Sequence, residues 1–188
     1  MIKIGITGSI ASGKTTASKF ISKGVGPLFN ADFVVKKLYR QRKFKNLVAR
    51  LLGIHSNLNF KKEVKNKILE KKQNLKKLEK IIHPLVRKEM IIFLNKHANK
   101  KMLFCEIPLL IENKLTKYFD VVIFIKTQKR LRLKRYRSND GDNKIFFLLD
   151  NQQFKDNKKM LFCDHIVVNN KSLVILKKKL SNIMKLYE

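Results

Sequence analysis

The sequence has 188 residues, of which 44% are hydrophobic. It can therefore bury one substantial core, but it is too short for two ordinary domains. The 43 lysines and arginines against 14 acidic residues give a formal net charge of +29. Because these basic residues are spread along the whole chain, we interpret them as solvated faces, and we expect no specific nucleic-acid partner.

The first elements predict strand, tight loop and helix, followed by a second strand and helix. A short β-branched run, Ile2–Thr7, leads into glycine, and residues 14–21 have helix-compatible spacing. A second apolar segment spans residues 26–30, and Phe33–Leu38 is again helical in pattern. This βαβα order favours parallel strands.

The middle of the chain predicts an inserted helical region. From Lys43 to about Lys96 the pattern is basic and helical, and we place Pro84 between two helices. Strands return at Met102–Ile107 and Asp120–Ile125, both nearly continuous in apolar residues, as in strands covered on both faces.

The last third predicts a basic helical excursion, a strand and a final helix. Residues 126–152 are helical in pattern with a break at residues 139–142. Cys163–Val168 is a predicted strand, and Ser172 is the predicted cap of a helix that continues to Tyr187. With this last strand, the predicted sheet has five strands.

Both cysteines lie in apolar stretches, Leu103–Cys105 and Leu161–Cys163, which we interpret as buried strands with free thiols in a reducing cytosol. The chain begins with the predicted strand and without a charged leader, so we expect no signal peptide. Its apolar runs are too short to cross a bilayer, so we expect no membrane contact. The predicted location is the cytoplasm.

The segment Gly8–Thr15 fits the pattern G-x-x-x-x-G-K-[ST] at every fixed position, between a predicted strand and a predicted helix as the motif requires. This is the P-loop pattern, in which glycines let successive N–H groups point at phosphates and the helix N-terminus adds partial positive charge. Lys14 is then expected to bridge the β- and γ-phosphates of ATP, and the Thr15 hydroxyl to ligate Mg²⁺. The predicted nucleotide-binding residues are Gly8, Ser9, Ile10, Ala11, Ser12, Gly13, Lys14, Thr15 and Thr16.

A P-loop does not by itself separate a small-molecule kinase from a GTPase or a motor ATPase. Asp32 follows the second predicted strand, at the sheet edge where open α/β sheets bind ligands. A carboxylate there is suited to accept the proton of an attacking hydroxyl group. The alternative is that Asp32 only caps the helix Phe33–Leu38.

Five segments together resemble the ordered signature of the dephospho-coenzyme A kinases. They are Thr7–Thr16, Asn30–Asp32, His83–Arg87, Ile107–Glu112 and Asp164–Asn170. The resemblance implies an α/β, three-layer P-loop kinase fold with a parallel five-stranded sheet, and transfer of the ATP γ-phosphoryl group to the ribose 3′-hydroxyl of dephospho-coenzyme A. It also implies three parts: a core (about 1–42, 100–125 and 160–188), a helical acceptor-binding insertion (about 43–99) and a lid (about 126–155).

The resemblance also implies roles for single residues. Asp32 matches the proposed general base, and His83 and Arg87 match a segment that shapes the acceptor site together with Pro108 and Leu109. Glu106 is suited to hold Mg²⁺ through water, the alternative being an exposed strand end. For His83 the alternative is a helix-capping or core histidine.

Arg135 matches a lid arginine that the family uses near the ATP phosphates. We assign most of the neighbouring arginines, Arg130, Arg132 and Arg137, to solvated helix faces. The sequence departs from the family pattern at three positions: Asn30 replaces an aspartate, Asn139 replaces a second lid arginine, and Lys61 replaces an arginine at the start of a helix in the insertion.

Three other functions compete with this one. One is another small-molecule kinase, such as a nucleoside or nucleoside monophosphate kinase, against which the Ile107–Glu112 segment argues. Another is a basic nucleic-acid-binding NTPase, favoured only by the charge. The third is a degenerate nucleotide binder that does not catalyse. We expect a monomer or a weak homo-oligomer whose partners are small molecules.

Overall fold

The computed structural model describes residues 1–55 and 59–187. Five strands form one sheet in the order β2-β3-β1-β4-β5, and every neighbouring pair is parallel. The strands are β1 (Ile2–Gly8), β2 (Leu28–Asn30), β3 (Met102–Glu106), β4 (Val121–Lys126) and β5 (His165–Val168). The predicted α/β fold with a five-stranded parallel sheet is confirmed.

The described residues also form nine α-helices and one short 3₁₀ helix. The helices are α1 (Lys14–Ser22), α2 (Ala31–Leu38), α3 (Arg42–Leu52), α4 (Phe60–Glu70), α5 (Lys72–Lys96), α6 (Lys129–Arg137), α7 (Asn143–Gln152), α8 (Asp156–Met160) and α9 (Leu173–Met184), and the 3₁₀ helix spans Thr116–Tyr118. None of the helices in the described ranges is both long and apolar enough to span a membrane.

The chain divides into two compact units, and the first comprises Met1–Asn30 and Phe93–Glu188. Its core is the sheet with α1 and α9 packed on one face, where Ala17 and Ile21 of α1 and Leu180 of α9 contact strand residues such as Ile4 and Ile123. Apolar, mostly β-branched residues fill β1 and β4, and nearly all are buried, as expected for strands covered on both faces. Because all five strands are parallel, their carboxyl ends meet at one edge of this sheet.

The second unit comprises Ala31–Ile92 and is helical. Its core is formed by apolar residues at helical spacing on α3, α4 and α5, among them Phe44, Val48, Val64 and Leu78. The helical character predicted for residues 43–96 is confirmed over the described residues. The assignment of residues 43–99 as an acceptor-binding insertion and of residues 126–155 as a lid stays a prediction.

The predicted final helix ends at Met184 and not at Tyr187. Two larger features of the predicted elements are also wrong. Pro84 does not separate two helices but lies inside α5, a single helix of 25 residues. Proline has no N–H, so the carbonyl group of Lys80 loses its helical partner, but buried residues such as Leu78 and Val86 on both sides of Pro84 keep one helix.

The other incorrect prediction is the buried strand at residues 161–163. The strand β5 begins only at His165, and the preceding residues form a turn after α8 in which Leu161 is 82% exposed and Phe162 50% exposed. The residue buried there is Lys159, which is 0% exposed. An internal cation, rather than the apolar triplet, therefore occupies the interior at this point of the chain.

Candidate active site

The phosphate loop joins the carboxyl end of β1 to the N-terminus of α1, as the motif predicts. Gly13 is the N-cap of α1 and has φ 93°, and Ala11 also has a positive φ of 57°. A Cβ atom on Gly13 would lie 2.4 Å from Nδ2 of Asn169. Glycine is therefore required at position 13 both by the left-handed backbone and by the close approach of a neighbouring side chain.

Lys14 and Ser12 are buried inside this loop. The Lys14 Nζ donates a hydrogen bond to the carbonyl oxygen of Ser9 at 3.0 Å, and Ser12 N donates to the same oxygen at 3.1 Å. The Ser12 hydroxyl is buried and has no hydrogen-bond partner within the described residues. A buried polar atom without a partner is costly, so this hydroxyl fits a site that a polar ligand completes.

Glu106 ends β3 beside the loop and is 1% exposed. Its Oε1 accepts a hydrogen bond from Thr15 Oγ1 at 2.6 Å, and its Oε2 accepts from Ser18 Oγ at 2.9 Å and from the amide of Asn30. The alternative that Glu106 is an exposed strand end is therefore wrong. The parallel pairing of β3 with β1 and β2 carries Glu106 to the sheet edge where the phosphate loop begins.

These oxygen atoms fit a magnesium ion. Mg²⁺ prefers oxygen ligands and is usually held by one or two protein groups together with substrate phosphates. A hydroxyl and a carboxylate in contact, Thr15 and Glu106, provide that kind of partial site. No group of three or more His, Cys, Asp or Glu side chains that could hold a metal occurs within the described residues.

Asp32 lies two residues beyond Asn30, in the first turn of α2. The helix begins at Ala31, so Asp32 is inside it and is not the cap of a helix that starts at Phe33. A carboxylate in a first helical turn is favoured by the helix dipole. Its assignment as general base stays a prediction.

The predicted acceptor residues lie on two elements. His83 and Arg87 are four residues apart in α5, so they project from the same face of that helix. His83 is near the middle of α5, which excludes the helix-capping alternative. Pro108 and Leu109 follow β3, and their carbonyl oxygens accept hydrogen bonds from Thr7 Oγ1 at 3.1 Å and Asn113 Nδ2 at 2.9 Å.

Arg135, on α6, lies against the phosphate loop. Its Nη1 donates to the carbonyl oxygen of Ser12 at 3.4 Å, and its Nη2 donates to that of Asn169 at 3.0 Å. Asn139, which replaces the second lid arginine, donates from Nδ2 to the Arg135 carbonyl oxygen at 2.8 Å. Arg137 instead donates to Asn143 Oδ1 at 2.8 Å and so is bonded within the turn between α6 and α7.

Arg132 is the residue that the sequence interpretation placed incorrectly, because it is 5% exposed and does not lie on a solvated face. Its Nη1 is 2.6 Å from Asp150 Oδ1, and its Nε donates to the Thr127 carbonyl oxygen at 3.1 Å. Burial raises the pKa of Asp150, but the hydrogen bonds and charges of Arg132 and Lys129 outweigh it and hold that pKa below its usual value. This ion pair links α6 to α7.

Two further loop contacts were not predicted. Thr127 Oγ1, just after β4, and Asn169 Nδ2, just after β5, both donate to the carbonyl oxygen of Ser12, at 2.9 and 2.8 Å. Their only sequence signal is position, since each directly follows a strand of the parallel sheet. Asn169 was included in the family signature, but without a role.

A buried ion pair joins the segment after β3 to α8. Lys159 Nζ is 2.8 Å from Oε1 of Glu112, whose side chain is 12% exposed. The same Oε1 accepts a hydrogen bond from Phe154 N at 3.0 Å. Within the described residues, the other carboxylate oxygen of Glu112 is buried and accepts no hydrogen bond.

Both cysteines are free thiols. Burial raises the pKa of Cys105, and burial together with the nearby Asp164 carboxylate raises the pKa of Cys163 to about 12. Because the thiolate is the reactive form, both thiols are poor nucleophiles at neutral pH.

Comparison with known proteins decides the family. A family model described as dephospho-CoA kinase matches residues 2–174. The chain belongs to the dephospho-CoA kinase family. It is 31% identical over 186 residues to the dephospho-CoA kinase of Rickettsia conorii, which covers 98% of this chain and 97% of that protein. It is 33% identical over 175 residues to that of Bartonella quintana, which covers 90% of each.

Solved structures support the fold of this family member. A Thermus thermophilus protein matches with a TM-score of 0.76 at 23% identity, covering 100% of this chain and 98% of that one. The dephospho-CoA kinase from Campylobacter jejuni matches with a TM-score of 0.64 at 22% identity, covering 99% and 97%. As a family member, the chain is a kinase that takes ATP as its phosphate donor.

Proposed function

We propose that the protein transfers the γ-phosphoryl group of ATP to the ribose 3′-hydroxyl of dephospho-coenzyme A and so produces coenzyme A. The observation that carries the proposal is a complete phosphate loop whose Thr15 is hydrogen-bonded to a buried Glu106, in a chain that matches the family model over residues 2–174. The match extends well beyond the phosphate loop that many NTPases share.

Phosphoryl transfer is catalysed mainly by positioning and by charge stabilisation. In this proposal the loop Gly8–Thr15 binds the ATP phosphates, with its N–H groups and the N-terminus of α1 directed at them. When ATP binds, the Lys14 ammonium group leaves the carbonyl oxygen of Ser9 and binds the β- and γ-phosphates instead. Thr15 and Glu106 would hold Mg²⁺, which when bound neutralises charge on those phosphates.

Asp32 accepts the proton of the attacking 3′-hydroxyl as the hydroxyl oxygen bonds to the γ-phosphorus of ATP, while the bond from that phosphorus to the β–γ bridging oxygen breaks and ADP leaves. His83, Arg87, Pro108 and Leu109 contribute to the acceptor site, where an arginine suits a phosphate of the acceptor because of its planar fork of donors.

In the same proposal, Arg135 stabilises the charge that develops on the transferred group. Its present contacts with two main-chain carbonyl oxygens of the site already hold its guanidinium beside the phosphate loop. A lid at about residues 126–155 then excludes water, so that the acceptor and not the solvent is phosphorylated.

We also propose how the chain is organised and where it acts. Residues of about 43–99 form the acceptor-binding insertion, and the rest of the chain outside the lid forms the nucleotide-binding core. The protein acts in the cytoplasm on small molecules, as a monomer or a weak homo-oligomer.

A coupled assay for ADP release tests the proposal, with ATP, Mg²⁺ and dephospho-coenzyme A, and with adenosine and AMP as control acceptors. We expect turnover only with dephospho-coenzyme A, and a fall in kcat of about 100-fold or more for Asp32→Asn. The matched control is Asp120→Asn, which makes the same change at the opposite edge of the sheet. Equal or better turnover with AMP, or an unchanged kcat in Asp32→Asn, would contradict the acceptor or the base.

A further inference from the structure

The phosphate loop is held from outside by a segment far along the chain. Ser9 Oγ donates to Asp156 Oδ1 at 2.6 Å, and Ile10 N donates to Gln153 Oε1 at 3.0 Å. We call residues 153–159, which follow α7 and include most of α8, the return segment. Neither acceptor belongs to the phosphate-loop motif, and the motif chemistry does not require them.

Ser9 is where this contact reaches the chemistry of the loop. It is 3% exposed, and its carbonyl oxygen accepts the hydrogen bonds from Lys14 Nζ and Ser12 N. The hydroxyl held by Asp156 and the carbonyl that receives Lys14 belong to the same residue. A shift of Ser9 away from Asp156 would therefore move the point at which the Lys14 ammonium is held and change the curvature of the loop.

The return segment is itself fixed at two points. Glu112 Oε1 accepts a hydrogen bond from Phe154 N at 3.0 Å and pairs with the fully buried Lys159 at 2.8 Å. Asp156 lies between these two anchored residues, within about one helical turn of each. Its carboxylate is thus presented to Ser9 by a segment that is anchored on both sides, which helps to orient a hydrogen-bond acceptor.

The contact also connects two parts of the site. The return segment directly follows α7, and Arg132 on α6 pairs with Asp150 on α7 while its Nη1 donates to the Ile10 carbonyl oxygen at 3.4 Å. The N–H group and the carbonyl oxygen of Ile10 are therefore both hydrogen-bonded to residues of the predicted lid.

We infer that Asp156 and Gln153 are positioning residues for ATP, which hold the phosphate loop through Ser9 and Ile10 in the conformation that receives the phosphates. The inference rests on the proposed function in one respect, that ATP is the ligand of this loop. It does not depend on the identity of the acceptor.

The first experiment measures ATP dissociation constants by calorimetry in the absence of acceptor, together with the KM values for ATP and dephospho-coenzyme A. Asp156→Ala leaves the Ser9 hydroxyl without its charged acceptor, and we expect it to raise the Kd and KM for ATP about tenfold. The KM for the acceptor stays unchanged. Asp156→Asn keeps an oxygen that can accept the same hydrogen bond, so its values stay within about threefold of the wild type.

A double-mutant cycle separates positioning from stability. If Asp156 acts through Ser9, the double variant Ser9→Ala/Asp156→Ala binds ATP no more weakly than the poorer single variant. The control is Asp120→Ala, since Asp120 Oδ2 accepts a comparable hydrogen bond from Lys3 N at 2.7 Å, at the opposite edge of the sheet. The control lowers the melting temperature and leaves ATP affinity unchanged.

Gln153→Met supplies an independent test, because it keeps the side-chain length and leaves the Ile10 N–H without its acceptor. It also serves if Asp156→Ala does not fold, and we expect a weakening of ATP binding of about fivefold. The inference is overturned if these variants change ATP affinity by less than about twofold while lowering the melting temperature as Asp120→Ala does. Additive effects of Ser9→Ala and Asp156→Ala would overturn it as well.

The outcomes also distinguish the two proposals. If the wild-type protein binds ATP but does not phosphorylate dephospho-coenzyme A, only the proposed acceptor is contradicted, and the calorimetry still tests the role of Asp156. If the wild-type protein does not bind ATP, both the proposed function and the positioning role of Asp156 and Gln153 are contradicted.

Discussion

Replacing Asn30 by aspartate would place a second carboxylate against Glu106, which is 1% exposed. In the present structure Glu106 Oε2 accepts a hydrogen bond from the Asn30 amide as well as from Ser18 Oγ. The variant Asn30→Asp restores the aspartate of the family pattern. It removes a donor and adds a negative charge at hydrogen-bond distance, so we expect it to destabilise the protein without Mg²⁺.

The size of the effect follows from two limits. In the first limit, the two carboxyl groups share one proton at pH 7. Because pH 7 is about 2.7 units above the pKa of an ordinary glutamate, binding that proton costs about 4 kcal/mol. If both stay ionised about 4 Å apart, their repulsion at an effective dielectric constant of about 20 is also ~4 kcal/mol. We therefore expect the free energy of unfolding to fall by about 4 kcal/mol. For a chain of 188 residues this lowers the melting temperature by about 10 °C.

The dependence of the variant's stability on pH and on Mg²⁺ shows whether the two neighbouring carboxylates cause the destabilisation. The folded variant binds a proton that the unfolded chain does not bind at pH 7, so its stability relative to the wild type recovers as the pH falls toward about 4. Mg²⁺ offsets the paired charges, so it should raise the melting temperature of the variant more than that of the wild type.

Thermal denaturation followed by circular dichroism at pH 7 and pH 5, with and without Mg²⁺, measures these differences. The control is Asn182→Asp, which adds the same charge at an exposed position on α9. If Asn30→Asp were as stable as Asn182→Asp at pH 7, or gained nothing from Mg²⁺, the assignment of Glu106 as a confined carboxylate beside a metal site would be refuted.

Three further predictions concern stability and the loop. Burial raises the pKa of Asp150, but Arg132 and Lys129 lower it overall. The ionised Asp150 therefore stabilises the fold fully above about pH 4, and this stabilisation is lost as the pH falls through the folded-state pKa. In Asp150→Asn, the free energy of unfolding measured by urea denaturation should thus fall less between pH 5 and pH 3 than it does in the wild type. Lys159→Ala leaves the largely buried Glu112 carboxylate without its cation, so the free energy of unfolding measured by urea denaturation should fall by about 3–5 kcal/mol. Replacing both Lys159 and Glu112 by apolar residues should lower it much less. Gly13→Ala forces a side chain onto a backbone with φ 93°, and calorimetry should show ATP affinity reduced at least about tenfold.

Most of the fold could be predicted from local sequence because the core strands are short apolar runs between glycine, asparagine and basic segments. The strand at residues 102–106 was found within one residue at its end. The failures occurred where tertiary packing overrides a local signal: apolar packing on both sides keeps α5 continuous across Pro84, and the apolar triplet before Asp164 is turned outward because the interior beside it is occupied by Lys159 and its partner Glu112.

The site could be predicted to the extent that its chemistry fixes residue types at fixed spacing. The phosphate loop was found for that reason, and the carboxyl end of β3 pointed to Glu106. The partners of the loop were not found, because Ser9 and Asp156 are separated by 147 positions and no local pattern connects them. Arg132 was missed because it lies on a basic helix, where only its packing over the Phe146 ring and its pairing with an acid distinguish it from exposed neighbours.

The central position of β1 has a consequence for how the molecule opens. The strand is hydrogen-bonded on both sides, to β3 and to β4, and the phosphate loop is its direct continuation. Amide hydrogens in such a strand exchange with solvent only in the largest opening events, whereas edge strands and surface helices exchange in smaller ones. A ligand at the end of β1 therefore acts on the opening of the whole sheet, and saturating nucleotide should slow exchange throughout the first unit and not only at the residues it touches.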